Sequence, residues 1–160
     1  IGLANQFARF AAGNGIDVYQ VIEASNSQPY SHIHRPGIAV GGHCIPIYPR
    51  LYLWTDPEAS VVSTARAANA AMPAHAVDLL QGLAGDLTGK RVAVLGAAYR
   101  GGVKETAFSG VFPVVSELRE RGAQVAVHDP MFTDEARRDF SLKADSPAKS
   151  FGPRVEAVRQ

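Results

Sequence analysis

The chain has 160 residues, enough for one ordinary domain or two small ones. With 46% hydrophobic and 19% charged residues it reads as a folded globular protein rather than a disordered one, and a formal net charge of +1 gives no electrostatic basis for binding nucleic acid or a membrane surface. A single cysteine excludes an internal disulfide and points to a reducing, cytoplasmic setting, and no apolar run approaches the roughly 20 residues of a membrane span.

The opening Ile1-Gly2-Leu3-Ala4 has no initiator methionine, charged leader or helix cap, and Glu156-Ala157-Val158-Arg159-Gln160 stops without a terminating signal. Both ends read as cut, so a piece of something longer is expected. Leu3, Phe7, Phe10 and Ala11 are spaced as one helix face requires, predicting a helix over 2–13 that Gly13-Asn14-Gly15 ends. Asp17 is the predicted N-cap of a second helix, Val18 to Ala24, closed by Ser25-Asn26. Residues 26–50 carry Pro29, Pro36, Pro46, Pro49 and three glycines and read as a long loop, a length that tends to accompany function. Thr55-Asp56-Pro57-Glu58 has capping-box spacing and predicts the start of an alanine-rich helix from 57 to about 83. Ala65, Ala68 and Ala71 permit close approach of another helix, and Pro73 is expected to kink this one or split it. Such a helix serves as a domain linker or an oligomer interface, and both remain open.

After the turn Asp86-Leu87-Thr88-Gly89-Lys90 the period changes. Residues 91–96 read as a buried strand. Residues 107–121 read as a helix with Val111, Val114, Val115 and Leu118 inward and Gly122 as its stop. Residues 124–130 read as a second strand ending in an acid. This is one strand–helix–strand unit of a parallel sheet. Beyond it, a short helix near 133–139 and a strand start at Val155 are predicted.

The run Val40-Gly41-Gly42-His43-Cys44-Ile45-Pro46 holds the one cysteine. Adjacent glycines let the backbone turn tightly and approach a ligand, and Pro46 stiffens the exit. That pattern suits a nucleophile presented in a pocket; the bland reading of a lone cysteine is a small buried hydrophobe. His43 is a loop histidine satisfied by backbone or a base for the thiol. His32 and His34 have no nearby cysteine or carboxylate, so no metal site is expected. Gly96 after the first strand would let a phosphate approach the next helix, and Asp129 stands where such folds often place a ribose-binding acid. The strict Gly-x-Gly-x-x-Gly fingerprint is absent, since Gly96 is followed by Ala97-Ala98-Tyr99-Arg100. The unit therefore binds a nucleotide or is an ordinary α/β unit. Arg100 and Lys104 suit an anion such as a diphosphate.

Three segments together resemble the nucleotide-sugar dehydrogenase family (UDP-glucose, UDP-N-acetylmannosamine and GDP-mannose 6-dehydrogenases). Gly15-Ile16-Asp17-Val18 with Val21-Ile22-Glu23-Ala24 is similar to the family's central helical pair. Pro36-Gly37 through Pro46 resembles its catalytic cysteine loop. Residues 93–100, Lys104-Glu105-Thr106 and Val127-His128-Asp129-Pro130 resemble its C-terminal nucleotide-sugar domain.

The resemblance implies an α/β fold. A helical central (dimerisation) domain over 1–83, with the cysteine loop and a long connecting helix, would join an incomplete Rossmann-like parallel α/β domain over 90–160. It also implies NAD-dependent, four-electron oxidation of the C6 alcohol of a UDP-sugar to a carboxylate, in the cytoplasm, by a homodimer serving polysaccharide biosynthesis, with no nucleic-acid or membrane partner. Cys44 would attack the intermediate aldehyde to give a thiohemiacetal and then a thioester that water hydrolyses; a thiolate adds readily to a carbonyl and leaves readily from a thioester. Gly41 and Gly42 would shape the sugar pocket, Arg100 would contact substrate and Lys104 would reach NAD. In the family NAD is bound mainly by an N-terminal domain, and a lysine and an asparagine just ahead of the present Ile1 assist the chemistry, so the isolated chain is expected to be inactive. Tyr48 stands where the family has an aspartate, and a phenol of pKa about 10 is not a carboxylate at neutral pH. That departure favours the alternative of a non-catalytic nucleotide-sugar-binding or scaffold relative; a thiol hydrolase is a further rival.

Overall fold

The structure, a computed structural model, describes residues 1–129, 131 and 132. The helix expected near 133–139 and the strand start at Val155 lie outside the described residues. Among those described, α1 (Gly2–Gly13), α2 (Val18–Asn26), α3 (Tyr48–Thr55), α4 (Ser60–Ala70) and α5 (Met72–Ala84) precede β1 (Arg91–Leu95), α6 (Val111–Glu120) and β2 (Gln124–His128). The architecture is α/β, a helical layer followed by a parallel strand pair.

Helix α1 forms where its periodicity predicts, but it turns a different face inward. Gly2, Ala4, Asn5 and Ala11 are buried, whereas Leu3, Phe7 and Phe10 are 60%, 40% and 66% exposed. The cause is the close approach of α4. A Cβ on Gly2 would lie 2.6 Å from the Ala65 carbonyl oxygen, so at this crossing there is no room for even a methyl group. Asp17 caps α2 as expected, its Oδ1 accepting from the Tyr19 and Gln20 amides at 2.9 and 3.4 Å.

The capping box predicted at Thr55 does not form. Residues 48–55 make α3, with Pro49 in its first turn, and the Thr55 hydroxyl donates to the Tyr52 carbonyl at 2.9 Å. The long helix expected from 57 to about 83 is two helices. They break at Ala71, because Pro73 has no N–H to continue the ladder of α4; it sits instead in the first turn of α5.

The strands pair in parallel from Arg91 opposite Gln124 to Leu95 opposite His128. Alternation turns Val92, Val94, Val125 and Val127 toward a core completed by Val77, Leu87, Val115, Leu118 and Ala123. Each fully buried side chain of this size contributes about 1.5–3 kcal/mol. Val115 and Leu118 are buried and Val111 and Val114 pack against them, the face of α6 that the sequence predicts. Strand β1 is covered on that face alone; Leu95 on the other face is 79% exposed, so the expectation of a fully buried strand does not hold. Arg121 ties α6 to α5 at the surface, its guanidinium 2.7 Å from Asp78 and donating to Gln81 at 2.9 Å. Among the described residues no helix is long and apolar enough to cross a membrane.

Candidate active site around Cys44

The cysteine loop is pinned at both ends by the helical layer. Asn5 of α1 is completely buried; its amide nitrogen donates to Asn69 Oδ1 of α4 at 3.1 Å, and its carbonyl oxygen accepts from the Gly37 N–H at 3.0 Å. At the exit, Arg66 of α4 donates to the Pro46 carbonyl at 3.0 Å. The Cys44 carbonyl accepts from the amides of Ile47 and Tyr48 at 3.1 and 2.9 Å, which turns the chain into α3. Cys44 itself is exposed, so it is not the small buried hydrophobe of the bland reading.

The middle of the loop rests on the connection between β1 and α6. The Gly42 N–H donates to the Ala107 carbonyl at 2.7 Å. A Cβ on Gly41 would fall 2.7 Å from both the Phe108 carbonyl oxygen and Tyr99 Cβ. On Gly42, where φ is +86°, it would meet the Tyr99 ring at 3.0 Å. Contact between the two segments therefore leaves no room for a side chain at Gly41, and at Gly42 the left-handed backbone of the turn also favours glycine. His43 Nε2 lies 3.5 Å from Glu105 Oε2, so the ring faces a carboxylate.

Glu105 is itself held. Its Oε1 accepts from the amides of Thr106 and Ala107 at 2.8 and 2.9 Å, and its backbone carbonyl accepts from the Tyr99 N–H at 3.0 Å. The Ala107 amide is the largest influence on its carboxyl; desolvation opposes it, and His43 and Thr106 reinforce it, leaving the pKa below the usual carboxylate value. Arg100 and Lys104 stand exposed on the same connection, with the Arg100 guanidinium 5.9 Å from the centre of the Tyr99 ring. Tyr48 opens α3 and is 63% exposed.

Asp129 does not stand free for a ribose. Its Oδ2 accepts from the amides of Ala97 and Ala98 at 2.8 and 3.1 Å, and its Oδ1 accepts from Met131 at 2.9 Å. The amides after Gly96 that a phosphate would need are thus filled by the protein's own carboxylate. Desolvation, the largest single influence, raises the Asp129 pKa; the amides of Ala97, Met131 and Ala98, with His128, together outweigh it and bring it below the ordinary value. A carboxyl held low in the folded state lends stability that is fully present above its unfolded pKa, about 3.9, and is lost as pH falls through the folded value. Asp129→Asn is expected to cost about 1–2 kcal/mol at neutral pH. In thermal unfolding followed across pH, its difference from wild type is expected to shrink on the acid side; a pH-independent difference would remove the carboxylate charge from the explanation.

A separate open groove of about 450 Å³, lined by Gln6, Arg9, Phe10, Ala68 and His75, includes none of the site residues expected from sequence. Among the described residues, no three His, Cys, Asp or Glu side chains gather as metal ligands would. Sequence reading overlooks Asn5, Arg66, Tyr99 and Glu105 as builders of this site. Tyr99 and Glu105 lie within segments that carry the family resemblance, Asn5 is an amide beside Gly2 and Ala4, small residues suited to close helix packing, and Arg66 carries no signal.

Residues 1–72 match the sequence model for the central domain of the UDP-glucose/GDP-mannose dehydrogenase family, and residues 93–158 match the model for its UDP binding domain. The chain belongs to this family. It is 38% identical over 134 residues to a UDP-N-acetyl-D-mannosamine dehydrogenase of Methanocaldococcus jannaschii, covering 84% of this chain and 31% of that one. The corresponding protein of Pyrococcus horikoshii is 40% identical over 135 residues, covering 81% and 32%. A solved UDP-glucose dehydrogenase from the hyperthermophilic archaeon Pyrobaculum islandicum superposes with a TM-score of 0.79 at 30% identity, covering 100% of this chain and 36% of that one. The chain thus spans about a third of the length of these dehydrogenase relatives. In the family's terms, Cys44 falls in the central-domain match and Glu105 in the UDP-binding match, so the contacts around the thiol join the two matched segments.

Proposed function

We propose that the gene product carrying this chain oxidises the C6 alcohol of a UDP-sugar to a carboxylate, with Cys44 as the nucleophile. The observation that carries this reading is an exposed thiol next to a glycine turn seated on the segment that matches the UDP binding domain. The relatives named as UDP-N-acetyl-D-mannosamine dehydrogenases make UDP-N-acetylmannosamine the first substrate to try. In this reading residues 1–83 act as a central, dimer-forming domain and residues 90–160 as the nucleotide-sugar domain of a cytoplasmic homodimer. Gly41 and Gly42 shape the sugar pocket, and Arg100 takes the diphosphate.

The Cys44 sulfur adds to the C6 carbon at the aldehyde stage, a hydride leaves that carbon to give a thioester, and water cleaves the thioester to the acid and the free thiol. Two hydrides leave C6, one with the hydroxyl proton as the alcohol becomes the aldehyde and one from the thiohemiacetal, and each would go to a separate NAD. The turn after Gly96 does not fit its pyrophosphate, because Asp129 fills the Ala97 and Ala98 amides; Lys104 on the β1–α6 connection is the contact with NAD proposed for this chain. Tyr48 favours a second reading, a nucleotide-sugar-binding relative without turnover, since an exposed phenol there replaces a carboxylate.

The test is NADH formation by the complete gene product across a panel of UDP- and GDP-sugars. Two NADH per sugar acid are expected with at least one UDP-sugar. Binding of UDP-sugars with no NADH from any of them would establish the second reading instead.

A further inference from the structure

The turn that carries the thiol is anchored at its two ends by backbone bonds, from Gly42 N–H to the Ala107 carbonyl and from Ile47 and Tyr48 N–H to the Cys44 carbonyl. Between those anchors lies His43. Its contact with Glu105 is a side-chain tie from the interior of the turn to the opposite segment. Both side chains are substantially exposed, at 70% and 41%, so the pair contributes little to global stability. What it supplies is position. Glu105 is a firm partner because its other oxygen is engaged by two amides and its carbonyl by a third.

We propose that Glu105 is a positioning residue for Cys44. Acting through His43, it holds the cysteine turn against the β1–α6 connection and so keeps the thiol in register with the nucleotide-binding segment. The proposal rests on the reading of Cys44 as the group that attacks substrate. Its expected size is modest, because an exposed pair biases the turn toward the in-register position by about fivefold at most.

Glu105→Gln isolates this role. The glutamine keeps an oxygen for the Thr106 and Ala107 amides and removes the charge that faces His43; His43→Ala removes the other partner and leaves those amide bonds untouched. In the complete gene product, each variant is expected to lower kcat about three- to fivefold, with KM for the UDP-sugar changed less than about twofold. The double variant is expected to be no slower than the slower single one, because both act through one contact. Melting temperatures should stay within about 2 °C of wild type, as for a surface pair. Wild-type kcat in Glu105→Gln, multiplicative losses in the double variant, or a raised KM at unchanged kcat would each overturn the proposal. Cys44→Ser run alongside separates the two levels. If it is inactive while Glu105→Gln is normal, only the positioning role fails; if it makes acid at the wild-type rate, the nucleophile assignment fails first.

Discussion

On the function proposed above, Cys44→Ser is expected to abolish acid formation by the gene product, with turnover reduced by at least about a thousandfold, while UDP-sugar binding persists. The reason lies in the two faces of sulfur chemistry. Sulfur is an intrinsically strong nucleophile toward a carbonyl, whereas a serine hydroxyl needs a neighbouring base to attack one. Should the serine add, it would hold the sugar as an ester, which water cleaves more slowly than a thioester. The substitution is nearly isosteric and the side chain is exposed, so the fold should not suffer. Product analysis together with NADH stoichiometry checks this: acid formed within tenfold of the wild-type rate would mean that the oxidation does not pass through Cys44.

Asn5→Ala is expected to cost about 3 kcal/mol, from two lost hydrogen bonds, unpaired partners and the space left by the amide. For a chain of this size that corresponds to a fall in melting temperature of about 6–12 °C. Asn5 is fully buried and serves three segments at once: its own helix α1, Asn69 in α4, and Gly37 at the start of the cysteine loop. Removing it leaves the Asn69 carbonyl oxygen and the Gly37 N–H without these partners. The loss should also reach the site, because Gly37 is where the loop toward Cys44 is tied down. Thermal unfolding followed by circular dichroism measures the effect, and a shift below about 2 °C would show that water or a rearranged Asn69 replaces the amide.

Elements whose signals are local were legible in the sequence. Asp17 caps α2 with its own side chain, α6 turns Val115 and Leu118 inward, and the two strands fall where β-branched residues lie between charge and glycine. The capping box at Thr55 was misleading because the same residues serve equally well to end a helix, and α3 does end there. The apolar stripe Leu3, Phe7, Phe10 was misleading for a different reason. Periodicity reports where the large apolar groups lie, but the distance between two helix backbones decides which face fits, and the face of α1 that is buried is Gly2, Ala4, Asn5 and Ala11. These large side chains remain exposed.

By itself the amino-acid sequence determined α1, α2 and the strand–helix–strand unit, the α/β class and a thiol set beside two glycines; each depends on residues within a few positions of one another. The tertiary structure decided what those glycines are for, that His43 faces Glu105, and that Asp129 fills the amides after Gly96. Such pairings join groups far apart along the chain, as with Ala97 and Asp129, which are 32 positions apart. Charge and hydrogen-bonding capacity are written in each residue, but the partner that satisfies them is selected only when packing brings distant backbone into reach.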